Sequence, residues 1–258
     1  MFPYRNKKLF VEGLSVDSIA ESLGTPVYVY SKKQLLSNYH SYQSAFRGIP
    51  HLICYALKAN SNLALLKILA DQGSGADIVS GGELYRALKS GFPSKKIVFA
   101  GVGKTADEIA FALRSGIHSI HIESEQELFV IDQAARKEDL TAPISVRINP
   151  NIDAKTHPYI STGLRKHKFG VPVTKALGLY LKAVTMKHVR IEGLHMHLGS
   201  QISDVKPFEE TVRKALQFID RLEDHGIHLN HLDIGGGLAV SDHAADPKKL
   251  ASAVVPLL

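Results

Sequence analysis

Three short segments carry residue types that can do chemistry together. The run YALKANSN ends an apolar stretch on Lys58, GLHMHLGSQI places His195 and His197 on either side of a methionine, and HLDIGGGL closes on Gly235, Gly236 and Gly237. A lysine at the end of an apolar strand is costly to bury unless paired or deprotonated. Lys58 therefore reads either as a cation snorkelling to solvent or as an amine that forms a Schiff base with a carbonyl. The two histidines allow three readings: packed rings, a metal-binding pair, or a ring laid on a planar cofactor. Metal binding needs further ligands, and no such set is evident at the other strand ends, so no metal is expected. Consecutive glycines expose backbone N–H groups in a concave nest that suits phosphate oxygens, or they form only a tight turn. Ser200 offers a hydroxyl beside the same segment. Asp77 and Arg147 sit in apolar runs, where a buried charge needs a partner.

The elements that must position these residues alternate. Apolar runs rich in β-branched residues at 51–58, 75–80, 96–101, 119–123, 144–150, 190–199 and 231–237 read as seven strands, separated by helical patterns. Helix ends are marked. Thr105 with Glu108, and Ser124 with Glu127, read as capping boxes, and Gly73, Gly116 and Gly226 sit where helices stop. The stretch 205–225 is a long amphipathic helix with Val212, Leu216, Ile219 and Leu222 on one stripe. Near the start, 27–30 reads as a strand and Ser31 as the cap of a helix running to about Phe46. Alternation of this kind makes an α/β fold with a parallel sheet. The spacing suits a TIM-type (β/α) barrel, with a doubly wound sheet as the alternative. No G-x-G-x-x-G follows the first strand, which disfavours that alternative. A closed barrel needs eight strands, so a seven-strand pattern ending in a helix at 247–258 reads as an incomplete barrel. Active sites of such barrels lie at the carboxyl ends of strands, where Lys58, Asp77, His197 and the three glycines all fall.

Composition narrows the function classes. The 258 residues contain one cysteine, which excludes an intrachain disulfide and fits a reducing, cytoplasmic setting. No window approaches a membrane span, and the N-terminus lacks a signal-peptide pattern. The net charge of +6 is scattered, and with no tryptophan and few aromatic residues a nucleic-acid surface is not expected. The one basic run, Arg165–Lys168, reads as either a solvated loop or an anion-facing loop.

In order along the chain, YALKANSN, GADIVSGGELYRAL, FAGVGKT, INPNIDAKTHPYISTGLRKHKFG, GLHMHLGSQI and LDIGGGL resemble the fold-type III, alanine-racemase-like pyridoxal-phosphate decarboxylases. HPYISTG and HKFG favour the diaminopimelate branch over the ornithine and arginine branches. The resemblance implies pyridoxal 5'-phosphate as cofactor, with Lys58 as the Schiff-base lysine and His197 stacked on the pyridine ring. It implies Ser200 and Gly235–Gly237 as cofactor contacts and phosphate cradle. Asp77, Glu83 and Arg147 fall at charged positions around the lysine and ring. It implies decarboxylation of meso-diaminopimelate to L-lysine by a cytoplasmic homodimer. Residues 1–30 then belong with a C-terminal β domain, and 31–258 form the cofactor-binding barrel. The family's EPGR segment in strand eight and its β domain are not found here. The chain is therefore expected to be one portion of a longer enzyme and inactive alone. A non-catalytic single-barrel binder of the same cofactor is the alternative. A metal-dependent barrel hydrolase built on His195 and His197 is a more distant one.

Overall fold

The computed structural model describes residues 2–152, 169–240 and 245–258. It opens with a small antiparallel sheet, β1 (Tyr4–Arg5), β2 (Lys8–Val11) and β3 (Leu14–Ser15), followed by α1 (Val16–Leu23) and α2 (Lys32–Ala45). The sequence reading did not anticipate this little sheet. The strand expected at 27–30 does not form: these residues belong to no ladder, and Tyr28 is 87% exposed. Its β-branched and aromatic residues favour extended backbone, but no neighbouring edge reaches them to form a ladder. Ser31 does cap α2, its hydroxyl accepting from Gln34 N–H.

From residue 54 the alternation is as expected. The strands are β4 (Cys54–Ala56), β5 (Gly75–Ile78), β6 (Ile97–Phe99), β7 (Ser119–Ile122), β8 (Ala142–Asn149), β10 (Val189–His195) and β11 (His231–Asp233), with a short β9 (Val171–Pro172) on β8. Between them run α3 (Leu63–Asp71), α4 (Gly81–Lys89), α5 (Ala106–Ser115), α6 (Glu125–Lys137), α7 (Val173–Val184) and α8 (Lys206–Glu223); α9 (Pro247–Val254) follows β11. The seven main strands pair in parallel in the order β11-β10-β8-β7-β6-β5-β4. The sheet curls, because α2, before the first of these strands, packs on α9, after the last. This is the expected incomplete TIM-type barrel. The capping box of α5 is complete. At α6 only half of the box forms, because Glu127 reaches Glu123 N–H and Lys104 instead of its own N-cap.

Strand alternation divides the sheet into two faces. Ile78, Ile97, Phe99, Ile120, Ile122, Ile144, Val146 and Leu194 are fully buried in one apolar layer with the helices. A second cluster lies under the loops at the strand ends. There Leu198 and Ile202 meet Phe208 and Val212 of α8 and Leu250 and Val254 of α9. Among the described residues no helix is long and apolar enough to cross a membrane.

Candidate active site

The opposite face of the strands is polar. Ser119 and His121 of β7, Ser145 and Arg147 of β8, His195 of β10, and His231 and Asp233 of β11 alternate with the apolar set. Ser119, His121, Ser145, Arg147 and His195 are buried. Low in this interior, Ser145 Oγ is 2.8 Å from Ser119 Oγ and 3.0 Å from His231 Nε2, so the two hydroxyls and this one imidazole nitrogen are paired.

At the carboxyl ends the sequence-selected residues come together. Lys58 lies two residues past β4, and its Nζ stands 3.6 Å from Asp77 Oδ2 in the adjacent β5. Burial pushes the Asp77 carboxyl up to about 6; the Lys58 charge opposes that shift, and Asp233 adds to it. Glu83, in the first turn of α4, accepts Val79 N–H and so closes the loop after β5.

His197 falls just beyond the end of β10, so strand alternation does not tie it to His195. Its Nδ1 accepts the Gly236 N–H at 3.3 Å. Burial, then the Arg147 and Lys58 charges, lower its pKa to about 4, which leaves a neutral ring at physiological pH. Lys58 and the imidazole thus share one electrostatic environment, and the imidazole is bonded to the glycine loop.

That loop is held open by backbone geometry. Gly235 and Gly237 adopt φ of +69° and +104°. A Cβ on Gly237 would lie 1.9 Å from Gly199 O and 3.3 Å from Ser200 Cα, so this close crossing admits only glycine. Ile202 N–H donates to Gly237 O, and Ile202 bridges Leu238, which zips the loop after β10 to the loop after β11. Ser200 is thereby brought beside the glycines. Asp233 Oδ1 accepts Gly235 N–H at 2.7 Å and fixes the start of the nest.

Arg147 has a partner that sequence reasoning did not find. Its guanidinium donates to Glu123 Oε1 at 2.7 Å and stacks 4.9 Å over Phe169. Glu123 also accepts Gly101 N–H and Gly170 N–H, so one carboxylate ties three strand ends together. The only sequence signal was its place as the last residue of an apolar run. Lys104 is buried and fully bonded to Gly101 O, His121 O and Glu127, a structural duty for the GKT segment. The basic run Arg165–Lys168 and the HPYISTG segment lie outside the described residues.

A lysine amine, a neutral imidazole and a glycine turn thus stand at the carboxyl ends of the strands of an incomplete α/β barrel. Residues 32–257 match the model of the pyridoxal-dependent decarboxylase family, pyridoxal binding domain, and the chain belongs to that family. More particularly, it is similar to diaminopimelate decarboxylases. It is 46% identical to that of Pseudomonas aeruginosa over 239 residues, which cover 93% of this chain and 58% of the relative. To the Aquifex aeolicus enzyme it is 45% identical over 259 residues, covering 99% and 61%. The crystal structure of the Helicobacter pylori diaminopimelate decarboxylase complexed with L-lysine superposes with a TM-score of 0.91 at 42% identity, covering 93% of this chain and 62% of that one. The chain thus spans about three-fifths of the length of these relatives.

Proposed function

We propose that this chain is the cofactor-binding portion of a pyridoxal 5'-phosphate-dependent enzyme that decarboxylates meso-diaminopimelate to L-lysine. The single observation that carries the reading is the convergence of Lys58, His197 and Gly235–Gly237 on one rim. The residues present fit the cofactor. The nest between Gly199 and Gly237 admits no side chain and leaves Gly236 exposed toward solvent; with the Gly235 and Gly236 N–H groups bonded to Asp233 and His197, the Gly237 N–H and the Ser200 hydroxyl are the donors that would meet a phosphate. When bound, the cofactor supplies an electron sink for the pair left behind as the carboxylate departs as CO2.

The chain's own residues have separable tasks. Lys58 presents the primary amine to the cofactor aldehyde, and Asp77 orients that amine through its ion pair. His197 covers one face of the ring as a neutral, planar partner, its rotation fixed by the Gly236 N–H. Ser200 and Gly235–Gly237 hold the phosphate. Arg147, anchored by Glu123, keeps a positive potential at the back of the rim. Residues 1–30 serve as the surface against which a further β domain of the family docks. The full-length enzyme is a cytoplasmic homodimer. Substrate choice rests on the roughly 45% identity to diaminopimelate decarboxylases.

The test has two arms. The purified chain mixed with pyridoxal phosphate is expected to absorb near the violet edge of the visible range. Borohydride is expected to fix a pyridoxyl mass on Lys58. A colourless protein, or a label on another lysine, overturns the cofactor assignment. For the reaction, this chain joined to the remaining portion of a relative is expected to release CO2 from meso-diaminopimelate at a kcat of about 1–1000 per second. A coloured protein that releases none would instead favour the non-catalytic binder.

A further inference from the structure

Below the rim, three side chains from three strands meet in an arrangement that the cofactor reading does not use. His121 of β7 reaches across β8 to His195 of β10, with 3.1 Å between their Nδ1 atoms. Asp233 of β11, paired in register with His195, brings Oδ2 to 3.8 Å from His121 Nδ1. One donor atom from each lies within 4.8 Å of the other two.

These separations match those required by one ion. Two nitrogens bound tetrahedrally at about 2.0–2.1 Å stand roughly 3.3 Å apart, close to the observed spacing. The His121 Nδ1 separations of 3.1 Å and 3.8 Å, with one donor atom from each residue within 4.8 Å of the others, are close to those that a single zinc ion bridges. The two Nδ1 atoms face one another across 3.1 Å, where a single proton serves both, and Asp233 Oδ2 faces the same His121 nitrogen.

The charges also suit a cation. Lys58, Lys104 and Arg147 each already have a carboxylate, in Asp77, Glu127 and Glu123. Asp233 has no lysine or arginine among the described ion pairs; one of its oxygens holds Gly235 N–H and the other faces His121.

We propose that His121, His195 and Asp233 form a site for a divalent transition ion of the zinc type inside the barrel, with a fourth position open to water. This departs from the expectation of no metal, which found no ligand set at the strand ends; His121, within β7, read as one polar residue in an apolar run. The site lies against the cofactor rim through Asp233, which also holds the glycine nest.

The probe is cobalt(II), titrated without pyridoxal phosphate into the chelator-treated 258-residue chain. One equivalent is expected to bind with the strong visible bands of a four-coordinate ion and to be displaced by zinc. His121→Asn is expected to weaken binding at least tenfold, whereas His118→Asn, outside the triad, leaves it unchanged. X-ray absorption of the zinc-loaded wild type adds a measurement that needs no variant, with scattering from two imidazoles expected. Sub-stoichiometric binding, binding indifferent to His121→Asn, or fewer than two imidazoles overturns the proposal and leaves a proton-sharing histidine pair. None of these readouts depends on the cofactor, so the proposal and the decarboxylase reading can fail separately.

Discussion

The two faces of the curled sheet are made by the same strands and obey different rules. Toward the helices, residues such as Ile97, Phe99, Ile120 and Ile144 are interchangeable in kind: apolar, branched or aromatic, and fully buried. Toward the interior, Ser119, His121, Ser145, Arg147, His195, His231 and Asp233 are particular, and most have named partners. The outer face is held by area removed from water, which tolerates changes of shape. The inner face is held by pairing, where losing one partner strands another. The lesson is that one period-two pattern encodes stability on one side and chemistry on the other.

The comparison breaks first, if at all, on the outer face. Phe99→Ala is expected to cost about 3–5 kcal/mol in urea unfolding while leaving the position of the rim residues intact. A loss below 1 kcal/mol would mean that the helix layer contributes less than its burial implies. On the inner rim, Gly237→Ala must resolve a 1.9 Å clash with Gly199 O at a φ of +104°. It is expected to weaken pyridoxal phosphate binding roughly ten- to a hundredfold, from backbone strain of about 1–3 kcal/mol. Unchanged binding would remove the glycine nest from the proposed site. Deeper inside, Ser145→Ala strands both Ser119 and His231 and is expected to cost about 1–2 kcal/mol in thermal unfolding, more than a surface serine.

The smallest effect is a pH dependence. The folded protein holds a proton on Asp77 up to about 6, whereas the ordinary value is 3.8. The folded state therefore binds more protons across that window, and Asp77 costs stability as pH rises through it. Asp77→Asn removes this cost. The variant's stability relative to wild type is expected to rise from pH 4 to pH 6 and then level off. A trend of the opposite sign would show that pairing with Lys58 outweighs burial.

Much of this was legible in the chain. The seven parallel strands, the helix caps at Ser31 and Thr105 and the stops at Gly116 and Gly226 follow from local pattern, because capping and alternation involve residues only a few positions apart. Lys58, His197 and the glycines stood out because their types are unusual at strand ends. Glu123 and His121 did not stand out. Each looks like one polar residue in an apolar run, and its partner is 24 or 74 residues away.

The sequence by itself determined which elements form and which residues bear reactive groups, because both depend on side-chain type and short-range spacing. Only the tertiary structure decided who faces whom. Curling the sheet brings Arg147 to Glu123, His121 to His195 and Asp233, and Gly236 to His197. Those distances depend on how the whole sheet twists and closes, and a linear pattern does not contain that information.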